Sequence, residues 1–280
     1  MKLLCLGCLH GRVPAGLKRF AKKNKVEAIL ACGDYANADK TREIVFKNWG
    51  KNWWEVVGPE KAKSILKEQH KSGINVLRKF NSLGIPVYLI FGNNDFYRDY
   101  LNPGRKTEFD LKVNEVGDFE DAIKKSFKRI KVIHLKSILL GGLKVSGYNN
   151  YRGYGIKKDL HEEVPEDKKK IMDSIRKRIK IDFKKISNSD IIIAHEPPFG
   201  TRLDLIKNKS SPINGKHIGD DVLKKSIRRA RWKMVLCAHM HEHWGLDKIG
   251  KTKIVACGYG RKGQAVLVEL PSLKVKLVKL

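Results

Sequence analysis

A chain of 280 residues, 41% of them hydrophobic and with aromatic residues spread along its length, can bury a substantial core and does not read as disordered. No apolar run approaches the ~20 residues that a membrane helix needs, and the opening MKLLCLGCLHGRV reaches His10 and Arg12 too early for a signal peptide, so a soluble cytoplasmic protein is expected. Charge is the outlier: 58 Lys and Arg against 30 Asp and Glu leave a formal +28, which fits a polyanionic partner such as nucleic acid or, equally, the lysine-rich surface of a heat-adapted protein.

Short β-branched runs alternate with helical patterns from the start. KLLCLG (2–7) leads to the helical LKRFAKKN (17–24), and EAILACGD (27–34) leads to ADKTREIVFKNWG (38–50) and a long helical stretch from Glu60 to Ser82. IPVYLIFGNND (85–95) follows. This rhythm predicts an α/β protein whose sheet carries helices on its faces. Residues 97–130 read as a polar insert closing in the amphipathic FEDAIKKSFKRI, and from 132 the strands come closely spaced: KVIHL, SILLGG, LKVSGY. After a loop rich in glycine and tyrosine (147–159) comes a basic helix over 168–185, in which Ile171, Ile175, Ile179 and Ile186 recur at helical spacing. Much of its charge is therefore the wet face of an amphipathic helix. SDIIIAHEPP, the helix GDDVLKKSIRRARW, the strand KMVLCAHMHEH and three closing strands complete the chain. Nothing in it is rich enough in Pro or Ser to act as a linker, so a single domain over 1–280 is expected.

Cysteines stand at 5, 8, 32, 237 and 257. Cys5 and Cys8 make a Cys-x-x-Cys, the spacing of a redox pair or half a zinc site, but no second pair completes a zinc ribbon. Most of the five sit in β-like runs and read as small buried hydrophobes.

The chemistry lies where the strands end. Five of them run into a metal-type residue or pair: Cys8-Leu9-His10, Gly33-Asp34, Gly92-Asn93-Asn94-Asp95, His195-Glu196-Pro197-Pro198 and His239-Met240-His241. Ligands in α/β sheets gather beyond the carboxyl ends of strands, so these turns should converge. A lone histidine after a strand is usually structural; five such turns in one chain point to a metal centre.

The order and spacing of these turns resemble the calcineurin-like metallophosphoesterase superfamily, with Asp-x-His, Gly-Asp, Gly-Asn-His-Asp, His and Gly-His-x-His in sequence. The resemblance implies a four-layer αββα sandwich of two mixed sheets and a binuclear centre in which a water shared by two cations loses its proton and attacks a phosphate ester. It implies one divalent ion on Cys8, His10, Asp34 and His241 and a second on Asp34, Asn93, His195 and His239, the metals being Mn, Fe, Zn or Ni. Asn94 and Asp95 take the catalytic positions of the third motif. Two departures stand out. Cys8 replaces an Asp, and a thiolate suits a soft or borderline metal better than Mn or Mg. Asn94 replaces a histidine that helps the leaving group; an amide cannot act as a general acid near neutral pH. His161, His217 and His243 are candidate substitutes. The expected function is hydrolysis of a phosphate ester, with phosphodiesters favoured. A non-catalytic scaffold of the same fold and a nucleic-acid-binding or nucleic-acid-processing protein are the alternatives.

Overall fold

The computed structural model describes residues 1–97, 116–149, 166–209, 211 and 213–280. In chain order these form β1 (Lys2–Leu6), α1 (Leu17–Lys23), β2 (Ala28–Ala31), α2 (Asp39–Lys47), α3 (Trp53–Val57), α4 (Pro59–Asn81), β3 (Val87–Leu89), α5 (Phe119–Ser126), β4 (Ile130–Val132), β5 (Ser137–Leu140) and β6 (Leu143–Tyr148). α6 (Glu166–Lys185), β7 (Ile191–Ala194), α7 (Asp221–Ala230), β8 (Met234–Cys237), β9 (Trp244–Ile249), β10 (Thr252–Cys257), β11 (Gln264–Glu269) and β12 (Lys274–Lys279) follow.

The strands make two mixed sheets of six, ordered β12-β11-β1-β2-β3-β4 and β5-β6-β7-β8-β10-β9. In the first, β1, β2, β3 and β4 run parallel and β11 closes antiparallel on β1. In the second, β6, β7, β8 and β10 run parallel between two antiparallel edges, β5 and β9. Central parallel strands covered on both sides must be apolar at every position rather than at alternate ones. β2, β7 and β8 are buried along their whole length.

Side-chain alternation sorts these residues into layers. Leu3 and Cys5 point to one side of β1 and join Ala28, Leu30 and Val266 against Ile191, Ile193, Met234, Leu236 and Val255 of the other sheet, forming the core between the sheets. Leu4 and Leu6 point to the opposite side and meet Leu17, Leu66, Leu77 and Phe80 of α1 and α4. On the outer face of the second sheet, Ile192, Val235 and Ile254 meet Ile179 and Phe183 of α6 and Leu223 and Ile227 of α7. Helix, sheet, sheet and helix thus stack in four layers, the expected αββα sandwich.

The helix expected at the close of the stretch 97–130 is α5, and the edge strand β4, which pairs with β3, follows it; residues 98–115 lie outside the described residues, as do 150–165, which take in most of the Gly/Tyr loop. β9 falls outside the predicted strands: in WGLDKI the adjacent Asp247 and Lys248 break any period-2 pattern, and the strand stays half-exposed at a sheet edge. On the basic helix α6, Ile175 and Ile179 are buried, with Ile186 just beyond its end, as the spacing predicts; the side chain at 171 lies outside the description.

α4 crosses α5 at Gly73, where a Cβ would sit 2.3 Å from Cζ of Phe119. Overpacking of this kind costs about 1–3 kcal/mol. Gly73→Ala is therefore expected to lower unfolding stability by that amount in urea titration, and a variant as stable as the parent would contradict the tight crossing.

Candidate metal centre

The parallel strands of both sheets end on the same side, and their exit turns meet there. Backbone hydrogen bonds join the first two: the N–H groups of Leu9 and His10 donate to the carbonyl of Asp34 at 2.8 and 3.0 Å, and Gly11 N–H donates to Tyr35 O at 2.7 Å. The second and third turns touch so closely that glycine is required. A Cβ at Gly33 would lie 2.4 Å from the nitrogen of Gly92, and one at Gly92 would lie 2.4 Å from Asp34 Oδ1. His10, Asp34 and His239 adopt left-handed backbone angles, with φ of 41°, 62° and 65°. Strain of this kind persists only where the surroundings over-determine it, and it clusters at functional sites.

Two groups of donors result. Cys8, His10, Asp34 and His241 form one, and Asp34, His195 and His239 the other, with the ligand atoms within each group no more than 4.8 Å apart. Asp34 belongs to both: its Oδ2 lies 3.6 Å from His10 Nε2 and 3.5 Å from His195 Nε2. Asn93 joins the second group through Oδ1, 3.0 Å from His195 Nε2 and 3.1 Å from His239 Nδ1. Cys8 Sγ accepts the backbone N–H of His239 at 3.3 Å.

The ring orientations are set from behind. His10 Nδ1 lies 3.2 Å from Ala36 O, and His195 Nδ1 lies 2.6 Å from Cys32 O. A nitrogen facing a carbonyl must donate, so in both neutral rings Nε2 carries a lone pair aimed into the site. His241 lies flat on Tyr259, with ring centroids 4.2 Å apart and planes 7° from parallel.

Electrostatics follow from burial. Burial drives the pKa of His10 down to about 4, against the pull of Asp34. Burial and then the neighbouring His10 take His241 down to about 2. Burial and the charge of Asp34 push the Cys8 thiol well above its ordinary value. Burial also opposes ionisation of Asp34, but His195 and His10 outweigh it and hold the carboxyl well below its usual range. His195 is the counterpart: burial disfavours its charge, yet the Asp34 carboxylate raises its pKa.

A model of the calcineurin-like phosphoesterase family matches residues 1–243. The chain belongs to this family. Members are metal-dependent hydrolases of phosphate esters. A curated relative, an uncharacterized protein of Methanocaldococcus jannaschii, is 22% identical over 257 residues, covering 91% of this chain and 87% of its own. A solved crystal structure at 16% identity superposes with a TM-score of 0.61, covering 99% of this chain and 98% of its own, and shares the fold. A Thermus thermophilus protein at 12% identity, with the same coverage, has a TM-score of 0.49.

For a calcineurin-like phosphoesterase the donor set fits divalent cations. His10 Nε2 lies 2.9 Å from His241 Nε2, and His195 Nε2 lies 3.2 Å from His239 Nδ1. Imidazole nitrogens gathered this closely beside a carboxylate and a thiol are the donor types that divalent transition metals take.

The two residues expected to be catalytic are placed differently. Asn94 faces the centre: its backbone N–H donates to Asp34 Oδ1 at 2.9 Å and its side-chain amide to Oδ2 at 2.7 Å. Asp95 does not. Its Oδ2 accepts from Asp34 N (2.8 Å) and Gly92 N (2.9 Å), and its Oδ1 from Tyr35 N (2.7 Å) and Ala36 N (3.2 Å). Its carboxylate ties the second turn to the third. Of the candidate substitute histidines, His217 is bound to Asp204 at 2.9 Å and His243 to the carbonyl of Leu205 at 2.7 Å, and neither joins the two donor groups; His161 lies outside the described residues. Sequence reading missed Tyr259, whose ring supports His241 and whose only signal was its place in a Gly-Tyr-Gly after β10.

Two outcomes are expected. Asp95→Ala orphans four buried N–H donors and should lower stability by roughly 3–5 kcal/mol and metal affinity by about 10–100-fold, checked by denaturant titration and metal competition. The second concerns pH. His10, His70 and His134 have pKa values near 4 and His241 near 2, all lowered chiefly by burial. Unfolded histidine ionises near 6.5, so the unfolded chain takes up protons first and stability is lost as pH falls from about 6.5 toward 4. The metal-free protein should therefore melt at steadily lower temperature across that window, and a flat profile would contradict the neutral rings.

Proposed function

We propose that this chain hydrolyses a phosphodiester at a two-metal centre built on Asp34. The observation that carries the reading is the position of Asp34 Oδ2, within 3.6 Å of the lone-pair nitrogens of both His10 and His195. A carboxylate so placed can serve two cations at once. Cys8, His10 and His241 would complete one set of ligands, and Asn93, His195 and His239 the other. Bound there, divalent ions would lower the pKa of a water to near neutrality and offset the charge on the phosphate.

The chain's own residues do the rest. Ala36 O and Cys32 O hold the His10 and His195 rings with Nε2 inward. Tyr259 keeps His241 from rotating away. Asn94 spans both oxygens of Asp34 and fixes the plane of the carboxylate. It has no proton to give a departing alkoxide at neutral pH. A departing alkoxide, from a diester or a monoester alike, would then have to be stabilised by a bound cation.

With Mn, Ni or Zn added, the protein should hydrolyse bis(p-nitrophenyl) phosphate faster than p-nitrophenyl phosphate, and Asp34→Asn should cut kcat by at least ~10²-fold, on the scale of losing a preorganised charge group. Elemental analysis should return bound metal. Protein that loads metal yet stays inert with every one of these ions would favour the scaffold reading instead.

A further inference from the structure

One surface feature takes no part in the metal centre. α2 carries no buried residue, and it presents Phe46 at 44% exposure, with Trp49 at 40% just beyond its end. The two rings lie together, centroids 6.2 Å apart and tilted by 45°. Large aromatic side chains clustered and open to this degree mark binding surfaces.

A series of contacts leads from the centre to the first turn of the same helix. His241 stacks on Tyr259, and Lys262 Nζ lies 5.7 Å over the same ring. The preceding residue, Arg261, pairs with Asp39 at the start of α2. Asp39 Oδ1 also meets Arg42 Nη1 at 3.5 Å. Phe46 follows Arg42 by four residues, the spacing that places two residues on one helical face, and Trp49 lies against Phe46 just past the helix end. Lys47, paired with Glu43, and Lys51 flank the rings, both exposed. A strip thus runs from His241 through cations at one level to exposed aromatic side chains at the next.

Cations beside π-faces, on a protein of net charge +28, match an anionic backbone that carries planar bases. Resting on the phosphodiesterase reading above, we infer that the strip formed by Arg261, Arg42, Phe46 and Trp49 binds the nucleobase-bearing part of the substrate, a short single-stranded nucleic acid, and leads its phosphodiester to the metal centre. Arg42 and Arg261 take the phosphates next to the reacting one, and Phe46 and Trp49 take the bases by stacking.

The test uses a fluorescein-labelled oligothymidylate of about ten nucleotides and an abasic strand of equal length, which has the phosphates without the bases. Fluorescence anisotropy with the metal-loaded protein should show the thymidylate held about tenfold or more tighter than the abasic strand. Phe46→Ala and Trp49→Ala should each weaken thymidylate binding about tenfold, while Phe46→Tyr and Trp49→Phe keep it. Arg42→Ala should weaken both strands and reduce the salt slope by about one. Equal affinity for the two strands, or alanine variants that bind as the parent does, would overturn the inference. Base-dependent binding by a protein that hydrolyses no phosphodiester would leave the strip standing and sink the function assigned to the metal centre.

Discussion

Four backbone N–H groups converge on the carboxylate of Asp95, and the centre is organised around that convergence. Three of them belong to the turn after β2 and one to the turn after β3. Without it, Asp34 has no fixed place between the two groups of donors, because its own oxygens are positioned by Asn94, the residue next to Asp95. The arrangement works against ionisation: burial and the proximity of Asp34 raise the pKa of Asp95 to about 7, and the hydrogen bonds from Gly92, Tyr35 and Ala36 oppose that rise. The carboxylate that orders the site binds backbone amides and stands outside both groups of donors.

From this knot the constraint spreads outward. Parallel strands aim their ends at one edge of the sandwich, and the left-handed residues at 10, 34 and 239 turn the chain sharply enough to expose ligand atoms there. The glycines at 33 and 92 let the turns approach to a distance that no Cβ allows. The second sheet contributes His195, His239 and His241 from the ends of β7 and β8, so the centre straddles the junction between the sheets. Packing in three apolar layers is what holds those ends level.

Much of this was legible in the residues. Apolar runs ending in Gly-Asp, Gly-Asn-Asn-Asp, His-Glu-Pro-Pro or His-Met-His announce both the strands and the chemistry, because a buried parallel strand and a tight glycine turn each leave a local signature. What was not legible has no such signature. The carbonyls of Cys32 and Ala36 that orient two rings are backbone atoms, which any residue supplies. Asp95 looks the same in sequence whether it faces substrate or amides. β9 is an edge strand whose half-exposed residues follow no period-2 pattern, Asp247 and Lys248 being adjacent, so it does not stand out. The Cys-x-x-Cys dissolves for the opposite reason: Cys5 packs between the sheets while Cys8 lies among the donors, so adjacency in sequence says nothing about their roles.

The thiol at position 8 has a consequence for how the centre takes up a cation. It is fully buried, and burial together with Asp34 keeps its proton on. A carboxylate there would set a second negative charge beside Asp34 in a newly made chain, whereas a neutral thiol is nearly as easy to bury as a methyl group. With a thiol there, Asp34 is the one carboxylate in its group of donors, and a cation that took up the sulfur would have to displace its proton, so binding at that group would tighten as pH rises.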